Sequence, residues 1–146
     1  MIRLRKRARQ WKLPIVLTLF VFVCFNNIFF IGYVPTGSME PTLKTGSYIF
    51  GTRITREYQN GDIIIFSHNG QLLVKRIAAC PGEEIDFREL SYMKNVAIPV
   101  WEDPILKVPG DCFFVLGDNI ENSIDSRYWE DPFVHKETIV AKVIQF

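Results

Sequence analysis

The sequence predicts a single, mainly β domain that follows one N-terminal transmembrane helix. Three observations support this prediction. The length of 146 residues allows one small domain and a short additional segment. A nearly continuous apolar run occupies residues 13–31. Beyond it, short apolar segments alternate with Gly, Asn, Asp and Pro, the pattern of β-strands separated by turns.

The apolar run at 13–31 has the length and the flanks of a membrane anchor. At about 1.5 Å per helical residue it extends about 28 Å, close to the hydrocarbon thickness of a bilayer. Pro14 lies at its start, where a helix tolerates proline. Residues 1–12 are basic without any acid, so the positive-inside rule predicts a cytoplasmic tail and an extracytoplasmic domain over 32–146. A cleaved signal peptide is the alternative, but no A-x-A pattern follows the run.

Charge and composition exclude several classes of function. The net charge of +1 hides an uneven distribution, because the chain beyond the apolar run is net acidic. Nucleic-acid binding by the folded part is therefore not expected, since phosphate contact needs clustered positive charge. With only His68 and His135 and no C-x-x-C pair, we expect no metal site and no cofactor. Cys80 and Cys112 could form a disulfide in an oxidising compartment, and their spacing leaves that open.

Short β segments follow the anchor in order. We predict turns at 60–62 and, as a hairpin, at 68–70. Residues 84–101 have no clear period and are predicted as strand and loop. The predicted strands are residues 47–53, 63–66, 71–79, 113–116 and 139–144.

Ser38 and Lys75 are the candidate catalytic pair. A serine hydroxyl needs a nearby base to become a nucleophile, and no histidine is well placed for a triad. A lysine can be that base only if its pKa falls towards neutrality, which apolar burial achieves. Gly37 beside Ser38 lets the backbone approach a substrate and frees an N–H for an oxyanion site. The strand around Lys75 is apolar, with Leu72, Leu73, Val74 and Ile77.

Each of these features also has an ordinary interpretation. A serine near Gly and Pro is usually a turn residue, and Lys75-Arg76 is typical of the solvated face of a strand. Gly117-Asp118-Asn119 is typically a tight turn, and Asp125 with Arg127 can be a surface ion pair of little energetic weight. Taken together, and in this order behind an anchor, they favour catalysis over these alternatives.

Three segments resemble the bacterial type I signal peptidase (leader peptidase) family of serine–lysine proteases. SMEPTL at 38–43 is similar to the nucleophile box, and LVKRIAACPGE at 73–83 to the general-base box. VLGDNIENSIDSRYW at 115–129 is similar to the long C-terminal box. The resemblance implies a compact antiparallel β-sheet catalytic domain in a membrane-bound serine endopeptidase, a hydrolase of protein secretion. The chain between 82 and 117 lacks the inserted β region of many members, which implies a minimal catalytic domain.

The resemblance also implies roles for individual residues. Ser38 attacks the scissile carbonyl, and Lys75 takes its proton and delivers it to the leaving amine. Thr36 helps the Ser38 N–H to form the oxyanion hole, and Ser123 hydrogen-bonds to the lysine and orients it. An ion pair and a neighbouring carboxylate hold the framework of the site, namely Asp125 with Arg127, and Asp118.

The implied substrates are exported preproteins with small residues one and three positions before the cut, as in A-x-A sites. Small apolar pockets enforce this choice, because close packing leaves no volume for a larger side chain. A substrate strand is expected to pair with the chain around 33–36 and 71–74. The lipid bilayer is the other implied partner, and no obligate protein partner is implied. The implied pocket residues are Val34, Pro35, Met39, Leu43, Leu73 and Val74.

Two other classes share part of the pattern. A self-cleaving serine–lysine repressor-type protein can have a related β core, but the anchor and the segment from Gly117 to Arg127 argue against it. A catalytically silent, membrane-tethered scaffold derived from a peptidase is the third class. Such a scaffold would be expected to lose the serine or the lysine, and this chain has both.

Overall fold

An N-terminal helix leads directly into an antiparallel β-sheet in the computed structural model, which describes residues 2–55, 57–88 and 105–144. Helix α1 spans Ile2–Ile28, and its part Trp11–Ile28 is long and apolar enough to cross a membrane, with a mean hydropathy of 1.7. The helix begins far before residue 13, so Pro14 lies inside it rather than at its start. It also ends three residues before 31, because Phe29 is already paired in a strand.

Seven strands form one sheet within the described residues, in the order β1-β2-β9-β3-β4-β7-β8, with every neighbouring pair antiparallel. A second sheet pairs β5 with β6. The mainly β, antiparallel fold expected from the sequence is thereby confirmed. The strands are β1 Phe29–Tyr33, β2 Tyr48–Thr52, β3 Ile63–His68, β4 Gln71–Ala79, β5 Glu84–Asp86, β6 Ile105–Lys107, β7 Cys112–Leu116, β8 Phe133–His135 and β9 Ile139–Val143.

The five predicted strands are present with ends shifted by two residues at most. The predicted hairpin at 68–70 is confirmed: Asn69 and Gly70 both have positive φ angles, 49° and 76°, as a two-residue hairpin turn requires. Of the segment 84–101, Glu84–Asp86 is a strand, whereas 89–101 lies outside the described residues. The sequence analysis did not predict β1, β6 or β8. Strand β1 was missed because it lies within and just after the apolar run.

The core lies on both faces of the central strand β3. Ile63 and Ile65 pack into one apolar cluster, and Ile64 and Phe66 pack into another on the opposite face. All four side chains are at most 1% exposed. A strand covered on both faces reads as a continuous apolar run rather than an alternating one, which is the pattern of residues 63–66.

The two cysteines of the domain lie in different apolar clusters. Cys80 packs beside Phe113, whereas Cys112 shares a cluster with Ala79 and Phe114. Ala79 is paired with Phe114 across β4 and β7, so its neighbour Cys80 points to the other face of the sheet. Both thiols are free, and the disulfide left open by the sequence is not formed.

Candidate active site

Ser38 lies in a 3-10 helix, Gly37–Met39, just after the edge strand β1. Met39 is 1% exposed, and the burial of its side chain in the core fixes the position of the turn. The Glu40 carboxylate accepts hydrogen bonds from the Thr45 hydroxyl (2.7 Å) and the Thr45 N–H (3.2 Å), which tie the turn to the chain that follows. A side chain on Gly37 would approach these same Glu40 and Thr45 atoms at 3.3 Å, so the turn is packed closely on this side.

Lys75 lies on β4 opposite Ile64 and is 4% exposed. Its Nζ donates a hydrogen bond of 2.7 Å to the Ser38 Oγ. Burial lowers the pKa of Lys75, because the ammonium loses its hydration, and this outweighs the opposing attraction of Asp125 and Asp118. The structure therefore brings the predicted pair into direct contact, with the lysine biased towards its neutral form.

Asp125 is the centre of a buried hydrogen-bond network after β7. Its carboxylate accepts hydrogen bonds from the Arg127 Nε at 2.7 Å and from the Arg127 Nη2 at 2.9 Å. It also accepts hydrogen bonds from the Gly117 N–H at 2.9 Å and from the Ser123 hydroxyl at 2.7 Å. The side chains of Asp125 and Arg127 are 0% and 2% exposed. Charge-assisted bonds of this kind compensate for the cost of burying both ions and fix the course of the segment from Gly117 to Arg127.

The Ser123 hydroxyl makes a different hydrogen bond from the predicted one. The resemblance placed its hydroxyl on Lys75, whereas here the hydroxyl donates to Asp125. The physical reason is that the hydroxyl has a single proton to donate, and the Asp125 carboxylate is the strong acceptor within its reach. Asp125 acts on Lys75 through its charge instead, and Ser123 holds that carboxylate in place.

The segment after β7 also braces the nucleophile turn through Asn119. The Asn119 N–H donates to the Ser38 carbonyl at 3.0 Å, and its side-chain Nδ2 donates to the Gly37 carbonyl at 3.0 Å. Gly117 lies so close that an added Cβ would overlap the Ser123 side chain and meet the Ser38 carbonyl oxygen at 2.5 Å. The sequence analysis named these two residues only as part of a motif. The Gly117-Asp118-Asn119 motif was the sign of these residues in the sequence, but a motif does not show which other segment its residues contact.

Asp118 pairs with Arg76, which the sequence analysis did not include among the site residues. The Arg76 Nε and Nη2 donate to the two carboxylate oxygens at 2.7 and 2.5 Å, and Nη1 donates to the Gly61 carbonyl at 2.7 Å. Burial opposes ionisation of Asp118, but the hydrogen bonds from Arg76 and Thr42 prevail and hold the pKa of this carboxyl below its ordinary value. This pair links β4, next to Lys75, to the segment after β7.

An apolar cleft of about 580 Å³ opens beside Ser38 and Lys75. On one side it is lined by the chain from Phe30 to Thr36, and on the other by residues 71–75 of β4. Within the described residues, β1 has no neighbour on its outer edge, and β4 pairs with β7 only from Arg76 onwards. Five of the six predicted pocket residues line the cleft, namely Val34, Pro35, Met39, Leu73 and Val74.

Leu43 is the exception among the predicted pocket residues. It packs against the core cluster of Ile49 and lines a different cavity of about 370 Å³. The turn after Met39 directs the chain away from the cleft, which sequence order alone does not reveal. Thr36 does line the cleft, with an extended backbone (φ −130°, ψ 155°) and an exposed side chain that does not cap the turn.

A second cavity does not coincide with this chemistry. It has a volume of about 670 Å³, is lined by polar groups such as Arg53, Asp111 and Lys136, and contains neither Ser38 nor Lys75. We place the functional site at the apolar cleft, because there a serine hydroxyl touches a buried lysine beside two strand segments that each have one free edge within the described residues. The fold and the site together define a helix-tethered β-sheet protein with a buried serine–lysine pair.

Comparisons with known proteins agree with this class. The family model described as signal peptidase, peptidase S26, matches residues 7–146. Signal peptidase I of Bacillus amyloliquefaciens is 30% identical over 88% of this chain and 82% of the relative. A probable signal peptidase I-2 of Synechocystis sp. is 32% identical over 75% of this chain, which spans 59% of that relative. The chain belongs to the signal peptidase family, peptidase S26.

Two further similarities complete the comparison. A solved signal peptidase I from Enterococcus faecalis is 28% identical, covers 61% of this chain and 97% of its own, and has a TM-score of 0.45. The inactive signal peptidase IA of Staphylococcus aureus is 25% identical over 94% of this chain and 90% of the relative. Because a relative named inactive also matches, similarity alone does not establish activity, and the geometry at Ser38 and Lys75 has to carry that inference.

Proposed function

We propose that this chain is a membrane-bound serine endopeptidase that removes N-terminal signal peptides from exported preproteins by a Ser38–Lys75 dyad. The observation that carries the proposal is the 2.7 Å contact between the Ser38 Oγ and the Nζ of a 4% exposed lysine. A buried lysine has no evident structural use at an open cleft, whereas a serine nucleophile needs such a base. Membership of the signal peptidase family supports the same activity.

In the proposed mechanism the reactive enzyme has neutral Lys75. Its lone pair then accepts the Ser38 proton while the Oγ attacks the scissile carbonyl carbon and forms a C–O bond. The resulting ammonium gives that proton to the leaving amine as the C–N bond breaks, which leaves an acyl-enzyme on Ser38. A water molecule then attacks the acyl carbon and gives a proton to Lys75. The C–O bond to Ser38 breaks as Lys75 passes that proton to the Oγ, which releases the signal peptide and restores the enzyme.

The oxyanion of the tetrahedral intermediate requires hydrogen-bond donors at the cleft. The first N–H groups of a helix have no partner within it, and Ser38 occupies such a position in the 3-10 helix Gly37–Met39. We assign the Ser38 N–H and the Thr36 hydroxyl to this oxyanion hole, since Thr36 lines the same cleft. The two hydrogen bonds from Asn119 to the turn support the direction of this N–H before substrate arrives.

The cleft is suited to an extended peptide with small side chains. A substrate strand can form main-chain hydrogen bonds with the unpaired edges around 33–36 and 71–74, which supplies affinity without regard to sequence. Specificity then comes from the packed floor of the cleft, which includes Val34, Met39 and Ile49. These side chains are 4%, 1% and 4% exposed, so little free volume is left for a large residue next to the scissile bond.

The helix supports a membrane location for this activity. We propose that Trp11–Ile28 spans the bilayer with residues 1–12 largely on the cytoplasmic side, and that 32–146 form the extracytoplasmic domain. In this orientation the cleft lies at the membrane surface, where the end of a signal peptide emerges.

The test is cleavage of a purified preprotein with an Ala-x-Ala site by the full chain in detergent. We expect cleavage after the second Ala, and a loss of at least about 10³-fold in kcat for both Ser38→Ala and Lys75→Ala. Ser67→Ala is the control, because Ser67 is an exposed serine of β3 that does not line the cleft. Circular dichroism checks that each variant is folded. Activity retained in either dyad variant, or a folded but inactive wild type on several preproteins, would refute the proposal.

A further inference from the structure

The chain crosses the cleft at the end where Ser38 and Lys75 lie. From Gly117 onwards it leaves the ladder that β7 forms with β4. The Asp118 carboxylate then accepts hydrogen bonds from the residue that follows Lys75 on β4. Asn119, the next residue, donates to two carbonyls of the turn that carries Ser38. This crossing segment therefore runs from β4 to the turn of the nucleophile, immediately beyond the dyad.

A substrate strand in the cleft cannot continue straight past the crossing segment. If it pairs with residues 71–74, it uses the edge of β4 that β7 occupies from Arg76 onwards, so it lies in line with β7. The chain that leaves β7 at Gly117 lies across its path. With the signal peptide in the cleft, the residues after the scissile bond have to leave the sheet at the dyad and pass over the outer surface of the chain that follows β7.

Ile124 is exposed on that surface. Its neighbours Ser123 and Asp125 are buried and hydrogen-bonded to each other, so the backbone that carries Ile124 is held in place. Ile124 itself is 72% exposed, more than any other large apolar side chain that the structure describes beyond helix α1. The Ser123 side chain and the Ser38 carbonyl oxygen both pack against Gly117, which places the Ile124 backbone beside the crossing segment.

We propose that Ile124 contacts the first two residues after the scissile bond and favours apolar side chains there. The inference rests on the proposed function. A single exposed apolar residue is common on protein surfaces, but this one lies where a bound substrate has to leave the cleft. An apolar substrate side chain that covers it removes apolar surface of both partners from water, which favours binding and needs no change in the enzyme.

The order of the chemical steps determines which of them shows the preference. The residues after the scissile bond form the leaving amine, which departs when the acyl-enzyme forms on Ser38. Substrates with the same signal peptide therefore give the same acyl-enzyme, and water hydrolyses it at the same rate. The preference should appear in kcat/KM and in the single-turnover rate of acylation, and the rate of deacylation should not change.

The expected effects are moderate, because the contact is at the surface. Wild type should cleave an Ala-x-Ala peptide with Leu after the scissile bond with a kcat/KM about fivefold higher than one with Ser there. In Ile124→Ala this preference should fall to about twofold or less. Ile124→Lys should cleave a peptide with Glu at these positions about threefold faster than one with Lys at low salt, and Ile124→Glu should show the reverse.

The experiment uses the purified full chain in detergent and soluble peptides that differ only in the two residues after the scissile bond. Mass spectrometry confirms that every peptide is cut at the same bond. Ile54→Ala is the matched control, because Ile54 is also an exposed isoleucine, at 63%, and does not line the cleft. It should keep the wild-type preference for Leu over Ser.

Three results would overturn the inference. Equal cleavage of the Leu and Ser peptides by wild type would show that no apolar side chain is favoured after the scissile bond. An unchanged preference in Ile124→Ala would show that another residue sets it. Equal cleavage of the Glu and Lys peptides by both charged variants would show that position 124 does not lie beside the bound substrate. Failure of wild type to cleave any of the peptides would instead refute the proposed function, and the inference with it.

Discussion

At the scale of single residues, the proposed mechanism depends on a pKa of Lys75 below the ordinary lysine value. Burial removes water from its ammonium, and the neighbouring carboxylates of Asp125 and Asp118 only partly restore the charged form. The same carboxylates are held by Arg127 and Arg76, so much of their negative charge is already neutralised. The two ion pairs can therefore shape the site without returning Lys75 to a permanently charged state.

The pH dependence of peptide cleavage should report this balance. Only neutral Lys75 can accept the Ser38 proton, so kcat/KM should rise with pH as Lys75 loses its proton. Because burial lowers the pKa of Lys75, this rise should be centred below the ordinary lysine value. Steady-state kinetics on a soluble Ala-x-Ala peptide measure it. Replacing Asp118 with Asn removes a charge that favours the ammonium, and should move the midpoint to lower pH. A rise centred at the ordinary lysine value would contradict this account.

At the scale of secondary-structure elements, the segment after β7 acts as a brace between β4, which carries Lys75, and the turn that carries Ser38. Arg76 connects it to β4 next to Lys75, and Asn119 connects it to the turn of Ser38. The network around Asp125 fixes the brace internally. Ser38 and Lys75 are 37 residues apart in the chain, and this brace connects the two elements that carry them.

Asn119→Ala tests the brace directly. The variant loses the side-chain bond to the Gly37 carbonyl but keeps the backbone bond to the Ser38 carbonyl. We expect kcat to fall by about tenfold with KM nearly unchanged, because a loosened turn misplaces the nucleophile and the Ser38 N–H in the transition state. Asn122→Ala is the control, since Asn122 is exposed and its side chain bonds only to the Asn119 side chain among the contacts described. Equal effects of the two changes, or a change confined to KM, would contradict the positioning role.

At the scale of the whole molecule, the sequence predicted the parts that depend on local pattern. Strands such as Gln71–Ala79 and the hairpin at Asn69-Gly70 follow from alternation and turn chemistry, and they are present. The family expected from its motifs is shown by the comparison over residues 7–146. The contact between Ser38 and Lys75 joins elements 37 residues apart in the chain, so local pattern does not predict it. It was expected from the need of a serine nucleophile for a base and from the family resemblance.

The features that the sequence did not predict depend on tertiary structure. Strand β1 was not predicted because Phe29–Ile31 belong to the apolar run, and such residues are as typical of a membrane helix as of a strand. Pairing with β2 makes them a strand, and the sequence alone does not show that pairing. The place of Leu43 depends on the direction of the turn after Met39, and the bond of Ser123 depends on which acceptor the folded segment brings near. The partner of Arg76 is likewise decided by long-range packing rather than by local pattern.

A buried base has a consequence for the stability of the whole domain. Below its lowered pKa, Lys75 is charged in both the folded and the unfolded state, so folding bears the full cost of removing the ammonium from water. Between that pKa and the ordinary lysine value the unfolded chain binds more protons, so stability rises with pH. Above the ordinary value both states are neutral and the penalty vanishes. The burial that the proposed mechanism needs therefore lowers the free energy of unfolding, and this cost is largest at low pH.

Lys75→Met should therefore be inactive and more stable than wild type. Met has similar length and no charge, so it avoids the cost of removing an ammonium from water, and Asp125 keeps Arg127 as its ionic partner. The expected gain is about 1.4 kcal/mol for each pH unit by which burial lowers the pKa of Lys75. Chemical denaturation of the full chain in detergent, from neutral to alkaline pH, should show a gain that shrinks as pH rises through the window between the two lysine pKa values. Lys44→Met, at an exposed lysine, should show no such trend. A gain that grows with pH, or a Lys75→Met chain less stable at neutral pH, would mean that Lys75 is held by attraction to Asp125 rather than penalised by burial.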